Sequence, residues 1–166
     1  SRYKVRFNSP TAEMGCEMGA LGISHLERIS PEGIQAMAKL PAFAILLPTT
    51  AYILKLVPPP ARAMIDAGVP VVLASDYNPN AHCLSLPLVM HLGCVLMKMT
   101  LEEALVATTI NAAAALKRSD THGSLEVGKF GDLVVLDSPK WEHIIYEMGD
   151  PPIKYVVKHG KIVHSE

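Results

Sequence analysis

Apolar runs of strand length alternate with helical segments along the first half of the chain. We predict strands at 22–27, 42–47 and 69–74, each followed by a loop and a helix. The second and third runs show no polar alternation, which is typical of strands buried on both faces of a parallel sheet. The pattern therefore predicts an α/β fold built from three successive strand–loop–helix units.

Capping residues mark where two of the predicted helices begin. Ser30 precedes a proline and starts a helix over 31–40. Thr100 is followed three residues later by Glu103, the capping-box pattern, and starts a helix that continues to about residue 116.

The remaining elements of the first part follow from apolar runs and from proline and glycine. The proline run 58–60 precedes a helix that Gly68 ends, and 85–99 is apolar nearly all round, which predicts a buried helix. Between the second strand and the proline run, 48–50 is predicted to be a loop.

The chain becomes rich in predicted strands from residue 123 onwards. Strands are expected at 133–136, 153–157 and 161–163, with a tight turn at His159-Gly160 between the last two. This tail should lie apart from the helical layers.

Length and composition describe a globular domain. The chain has 166 residues, close to the roughly 150 of one domain. Its 49% hydrophobic and 19% charged residues, with mean hydropathy +0.25, exclude disorder. A net charge of −1 without a basic run argues against binding nucleic acid or acidic membranes.

Membrane insertion and secretion are not expected. The most apolar stretch, 84–97, contains a proline and a histidine and is shorter than the ~20 residues that a membrane helix needs. The N-terminus lacks the apolar segment of a signal peptide. Cys16, Cys83 and Cys94 are odd in number and widely spaced, so we expect free thiols in a reducing, cytoplasmic compartment.

Polar residues follow the predicted strands at positions suited to chemistry. Asp76 follows the third strand and begins a loop with Asn78 and Asn80. His25 ends the first strand, and ligands of parallel α/β folds bind outside the carboxyl ends of strands. A carboxylate suits a divalent cation or proton transfer, and a histidine suits a metal, a base or an oxyanion.

Structural roles compete with these interpretations. Asp76 and the two asparagines could simply cap the loop and form Asx turns. The hydroxyl groups of Thr49 and Thr50 could bind substrate at the same edge, although a plain loop role is favoured. His82 could flank the site, whereas His91 is expected to be a satisfied core histidine.

Several segments together resemble the imidazolonepropionase family of the metal-dependent amidohydrolases. The resemblance extends from about Met14 to the C-terminus and is strongest in the Ser-Asp-Tyr-Asn-Pro-Asn loop. The segments that carry it are 23–27, 45–52, 74–80, 108–113 and 123–133.

The resemblance implies a fold. The family is a distorted eight-stranded (β/α)8 barrel with a small β-sandwich, and this chain matches its C-terminal part. By resemblance, 14–122 holds about three barrel units with their following helices, 123–166 holds strands of the β-sandwich, and 1–13 is an atypical start.

The resemblance also implies a reaction and roles for named residues. A zinc or iron ion activates a water that hydrolyses the ring amide of 4-imidazolone-5-propanoate to N-formimidoyl-L-glutamate, in histidine catabolism. Asp76 matches a metal ligand that also shuttles a proton, and His25 matches the histidine that contacts the reacting carbonyl. Asn78, Asn80 and Ala81 match positions that touch substrate or product.

The chain also departs from the family pattern. The His-x-His metal pair and the arginine and tyrosine that hold the propionate have no counterpart, and 5–10 lacks the expected His-x-Asp-Glu. Asp76 alone is fewer than the three or four ligands that a catalytic metal needs. We therefore expect a truncated form that is inactive alone and does not hold the metal stably.

Other functions stay open at this point. One is a non-catalytic partial-barrel module that pairs with another chain or binds a small ligand at the Asp76 loop. Another is a related amidohydrolase, such as another cyclic amidase or a nucleobase deaminase. The expected partners are the small imidazolone substrate and, for assembly, a second copy in a homodimer, with neither nucleic acid nor membrane.

Overall fold

The computed structural model describes residues 11–165, and these contain two sheets together with the helices that pack on them. The predictions made for 5–10 and for most of the atypical start lie outside the described residues. The elements within 11–165 are α1 (Thr11–Glu17), β1 (Gly22–Ser24), α2 (Pro31–Ala38), β2 (Phe43–Leu46), α3 (Pro48–Ile53), α4 (Ala61–Asp66), β3 (Val71–Leu73), α5 (Leu86–Met97), α6 (Leu101–Thr108), α7 (Ile110–Ala115), β4 (Leu133–Leu136), α8 (His143–Tyr146), β5 (Ile153–Lys158) and β6 (Lys161–Ser165).

The three predicted apolar runs form one parallel sheet in the order β1-β2-β3. Ser24 pairs with Ile45, and Leu46 pairs with Leu73 on the other side of β2. Every residue of β3 is buried, as expected for a strand covered on both faces. The α/β class and the parallel sheet are therefore confirmed.

The first strand is shorter than predicted. It was expected to extend to residue 27, but it ends at Ser24 because His25 and Leu26 have left-handed backbone angles, with φ of 72° and 66°. The chain turns sharply there, and Leu26 is buried in the core while the His25 side chain is exposed.

The predicted caps are confirmed. The Ser30 hydroxyl accepts a hydrogen bond from the Gly33 backbone N–H at 3.0 Å. The Thr100 hydroxyl accepts from the Glu103 backbone N–H at 3.2 Å, and the Glu103 carboxylate accepts from the Thr100 backbone N–H at 2.8 Å. These bonds satisfy backbone donors that helix geometry leaves unpaired.

Two predictions about helices were also wrong. The loop expected at 48–50 is the first turn of α3, because Pro48 at the first helical position starts a helix directly after β2. The single helix expected to reach residue 116 is broken at Thr109 (φ −119°, ψ −94°). The Thr109 hydroxyl donates to the Leu105 carbonyl at 2.6 Å, a bond that bends helices.

The tail forms the second sheet, antiparallel in the order β4-β5-β6. The predicted turn between β5 and β6 is confirmed. His159 (φ 50°) and Gly160 (φ 72°) are both left-handed, as the preferred two-residue hairpin turn requires. The short helix α8 was not predicted.

The core lies between the parallel sheet and the helices around it. Met37, Ala44, Leu46, Met64 and Val89 have no exposed surface. No helix within 11–165 is long and apolar enough to cross a membrane. All three cysteines are free thiols, as predicted.

Candidate active site

Two of the predicted site residues lie at the carboxyl edge of the parallel sheet, which is the end at which all three strands have their C-terminal residues. We call this end the sheet edge. His25 directly follows β1, and Asp76 follows β3 by three residues. The ladder continues to this edge, where the His25 backbone N–H donates to the Ile45 carbonyl at 3.0 Å. Since β1 and β3 flank β2 and all three strands run in parallel, their carboxyl ends meet there.

The carboxylate of Asp76 is held on one of its two oxygens. The hydroxyl of Thr50 donates to Asp76 Oδ2 at 2.7 Å. Asp76 Oδ1 has no hydrogen-bond partner within residues 11–165, and it is not among the buried unpaired atoms, so solvent reaches it. The side chain therefore presents one free oxygen at the sheet edge.

The backbone of Asp76 is also constrained. Its φ of 52° lies in the left-handed region, which aspartate tolerates better than most residues. The side-chain amide of Asn78 donates to the Asp76 carbonyl at 2.6 Å. The loop geometry thus fixes the Cα from which the carboxylate extends.

The asparagine loop is closed by its own hydrogen bonds. The Asn78 side-chain carbonyl accepts from the Asn80 backbone N–H at 2.9 Å, and Asn78 pairs with Ala81 in an isolated antiparallel bridge. The structural alternative, an Asx turn, is therefore observed for Asn78. Ala81 is buried, whereas the Asn80 side chain is exposed and free to meet a ligand.

The imidazole of His25 is oriented by a neighbouring carboxylate. Its Nδ1 lies 3.3 Å from Glu27 Oε1, and the side chain is 47% exposed. When Nδ1 carries the proton donated to Glu27, Nε2 is the nitrogen available to a ligand. The ring of His82 lies against that of Tyr77 in a tilted arrangement, with centroids 4.9 Å apart and 57° between the ring planes, next to the same loop.

Within 11–165 there is no group of three or more histidine, cysteine, aspartate or glutamate side chains that could hold an ion. A catalytic zinc takes three protein ligands. Asp76 can supply one of them.

Two cavities lie away from this edge. One, of about 590 Å³, is an apolar space between α5, α6 and the second sheet, with Met90, Leu105 and Trp141 in its wall. Another, of about 710 Å³, lies between α1 and α2. Neither is lined by His25 or Asp76. We place the candidate site at the sheet edge, because polar side chains that can bind a ligand or transfer a proton lie there.

The hydrogen bonds of the two threonines were not predicted. Thr49 and Thr50 were assigned a plain loop role, yet both are buried and both donate to the Asp76 loop. The signal available in the sequence was a proline followed by two hydroxyl residues immediately after a buried strand. Such a turn puts the hydroxyl groups at the carboxyl edge of the sheet.

Two further histidines have local partners. His91 Nδ1 lies 3.1 Å from the Ile145 carbonyl oxygen, in keeping with the expected core role. His143 Nδ1 lies 2.7 Å from a carboxylate oxygen of Glu147 on its own helix.

The chain belongs to the amidohydrolase family, whose pattern matches residues 5–164. The barrel-type parallel sheet and the polar residues at its carboxyl edge agree with that assignment.

Curated relatives specify the resemblance further. The chain is 62% identical over 157 residues to a probable imidazolonepropionase from Nematostella vectensis, and 63% identical over 155 residues to one from Dictyostelium discoideum. A human protein of the same name is 59% identical over 156 residues. Each alignment covers 93% of this chain, which spans only 36–37% of the length of these relatives.

Solved structures share the fold. An adenosine deaminase from Xanthomonas campestris with bound zinc has a TM-score of 0.79 at 23% identity, covering 88% of this chain and 38% of its own. The guanine deaminase of E. coli has a TM-score of 0.75 at 16% identity, covering 87% and 39%. At these identities the likeness concerns the fold alone. The expected class, part of an amidohydrolase barrel with part of a small β-domain, is confirmed.

Proposed function

We propose that this chain supplies part of the active site of an imidazolonepropionase, which hydrolyses the cyclic amide of 4-imidazolone-5-propanoate to N-formimidoyl-L-glutamate in histidine catabolism. The observation that carries the proposal is that His25 and Asp76 follow two strands, β1 and β3, whose carboxyl ends lie at the same edge of the parallel sheet. It occurs in a chain about 60% identical to proteins bearing that name.

The reaction needs three groups, and the chain offers two of them. Opening a ring amide requires a water, an acceptor for its proton, and a donor for the carbonyl oxygen that gains charge. We assign proton acceptance to Asp76, whose Oδ1 is free, and donation to His25, which donates from Nε2 only when both ring nitrogens carry protons, since its Nδ1–H faces Glu27. The water oxygen joins the carbonyl carbon, the ring C–N bond breaks, and the proton passes from Asp76 to the departing nitrogen.

The loop after Asp76 supports substrate contact. The exposed amide of Asn80 can hydrogen-bond a polar substrate, while Asn78 and Ala81 shape the loop that carries it. We propose zinc or iron as the metal of the complete site, with Asp76 as one ligand. The ligands that complete the site would lie outside residues 11–165, and we do not expect this chain alone to retain the ion.

The remaining parts of the proposal concern organisation. We assign 14–122 to the barrel and 123–166 to the small β-domain, in agreement with the change from a parallel to an antiparallel sheet. The free thiols support a reducing, cytoplasmic compartment.

A chimera tests the function directly. The aligned 157 residues of the Nematostella vectensis relative are replaced by their counterpart in this chain, and hydrolysis of 4-imidazolone-5-propanoate is followed by its ultraviolet absorbance. We expect the chimera to be active. Asp76→Asn and His25→Gln should each lower kcat by roughly 10²–10⁴-fold, the range for loss of a positioned proton-transfer group.

Asp66→Asn is the matched control, because this carboxylate lies on α4 beside Arg62 and away from the sheet edge. It should leave kcat within about twofold. An active chimera in which Asp76→Asn has no more effect than Asp66→Asn would contradict the proposal. So would an inactive chimera made from an active parent.

A non-catalytic binding module is the second candidate. It is favoured by the lack of a three-ligand group within 11–165. A cooperative melting transition of the purified chain without metal, together with an inactive chimera, would support it.

A further inference from the structure

We propose that Thr50 is a positioning residue that fixes the carboxylate of Asp76 and leaves one oxygen presented to the reacting groups. This inference rests on the proposed function of Asp76. It assigns a role to a residue for which the sequence analysis favoured a plain loop.

The contact is short, partly buried and specific to one oxygen. Thr50 lies in the first turn of α3 and is 6% exposed, and its Oγ1 is 2.7 Å from Asp76 Oδ2. A hydroxyl group has a single proton to donate, and this proton goes to the carboxylate. Within residues 11–165, no other side chain donates to Asp76 Oδ1 or Oδ2.

The neighbouring threonine holds the backbone of the same loop. Thr49, which is 2% exposed, donates from its Oγ1 to the Ser75 carbonyl at 2.7 Å. Two successive hydroxyl groups of α3 thus hold two successive residues after β3, one by its main chain and the other by its side chain. Thr49, which holds only the main chain, can therefore serve as the control for Thr50, which holds the carboxylate.

The Thr50 side chain is itself held in place, so it can restrain rotation of the Asp76 carboxylate. Its β-branched side chain restricts χ1, and it is packed in the interior, so the hydroxyl is a fixed point. Asp76 is anchored at its backbone by the Asn78 amide, which leaves rotation of the side chain as the remaining motion. The bond from Thr50 restrains that rotation and directs Oδ1 into solvent at the sheet edge.

A purely structural role would make the two threonines equivalent. Replacing either by valine keeps the branched shape and removes one partly buried hydrogen bond. A positioning role predicts that only Thr50→Val frees the carboxylate. Thr50→Ser keeps the hydroxyl and should preserve its effect.

The first test is nuclear magnetic resonance of the full 166-residue chain. Three-bond couplings to the Asp76 β-protons report whether the side chain occupies one rotamer. We expect one rotamer in the unmodified chain, in Thr50→Ser and in Thr49→Val, and averaged couplings in Thr50→Val. Melting temperatures measured alongside should fall to a similar extent in the two valine variants.

The second test is kinetic and uses the chimera. Thr50→Val should lower kcat by roughly 10–100-fold, the cost of a misplaced reacting group, with KM changed little, and Thr50→Ser should recover most of the loss. Thr49→Val should lower kcat less than Thr50→Val does.

The inference and the proposed function fail in different ways. A single Asp76 rotamer in Thr50→Val, or equal averaging in Thr49→Val, would overturn the role of Thr50 whatever the activity. Full activity in Asp76→Asn would instead overturn the function, whatever the couplings show.

Discussion

His25 and Asp76 share a backbone conformation that is uncommon for residues other than glycine. Both have positive φ, 72° and 52° respectively, and Leu26 beside His25 has 66°. Left-handed residues cost free energy and tend to occur where the surrounding structure over-determines them, as at ligand sites. Here the left-handed residues change the direction of the chain shortly after β1 and shortly after β3.

The conformation of Asp76 leads to a stability prediction. Asp76→Ala and Asp76→Gly both remove the carboxylate and its bond to Thr50, so their difference isolates the backbone. Alanine normally stabilises relative to glycine by restricting the unfolded chain. At this positive φ we expect the glycine variant to be more stable by about 1 kcal/mol, because alanine is strained there. Urea unfolding of both variants measures the difference, and a more stable alanine variant would contradict it.

Helices α4 and α6 are joined by one bidentate ion pair. Arg62 Nη2 and Nη1 donate to the two oxygens of Glu103 at 2.7 and 2.9 Å, and the same carboxylate caps α6. The hydrogen bond from Arg62 holds the pKa of Glu103 below its ordinary value of 4.5, and the backbone bond from Thr100 acts in the same direction. The same contact raises the pKa of Arg62.

This ion pair gives a pH dependence whose sign is fixed. The pKa of Glu103 is lower in the folded chain than in the unfolded chain. The ionised carboxylate therefore makes its full contribution to the free energy of unfolding above pH 4.5, and this contribution is lost as the pH falls towards the lowered pKa. Glu103→Gln keeps a capping side chain but removes the charge. We expect it to lower the free energy of unfolding at pH 7 by about 0.5–1 kcal/mol and to weaken the loss below pH 4.5. Unfolding curves at several pH values test this, and an unchanged acid slope would count against it.

The predictability of elements differed for physical reasons. The strands at 42–47 and 69–74 and the caps at Ser30 and Thr100 depend on local sequence, and each was found. The break at Thr109 was missed, because the small and apolar residues around it favour an uninterrupted helix. The backbone angles of Thr109 and the bond from its hydroxyl to Leu105 show the break in the structure.

The candidate site was predictable only in part. The placement of His25 and Asp76 follows from strand order, since parallel strands end at the same edge. The bond between Thr50 and Asp76 joins residues 26 positions apart, and no local pattern indicates it. The Asx turn at Asn78 was one of two interpretations that the sequence left open. The chemical roles of His25, Asp76 and Asn80 stay predictions.

At the scale of the whole molecule, the segment between α7 and the second sheet contains a glycine, Gly123, that is closely surrounded by other atoms. Gly123 has φ of 93°, and a Cβ built there would lie 2.9 Å from the Ile110 Cα and 3.0 Å from the Thr109 carbonyl oxygen. Both neighbours are backbone atoms, which cannot move aside as a side-chain end can. Gly128 has nearly the same φ, 94°, but open space around it.

These two glycines form a matched pair for mutation. Gly128→Ala should lower the free energy of unfolding by about 1 kcal/mol, the cost of the left-handed backbone alone. Gly123→Ala adds the clash with α7 and should lower it by about 3 kcal/mol or more. Chemical denaturation of both variants provides the measurement. Similar losses in the two would show that the contact with α7 is loose.

The direct passage from β2 into α3, with only Leu47 between them, has a further consequence. Because no flexible connection separates the sheet from the first turn, a one-residue insertion at Leu47 would rotate Thr49 and Thr50 away from Ser75 and Asp76 together. Length variation among natural homologues should therefore be excluded from this junction. It should collect instead after Ile53, where residues 54–57 are exposed.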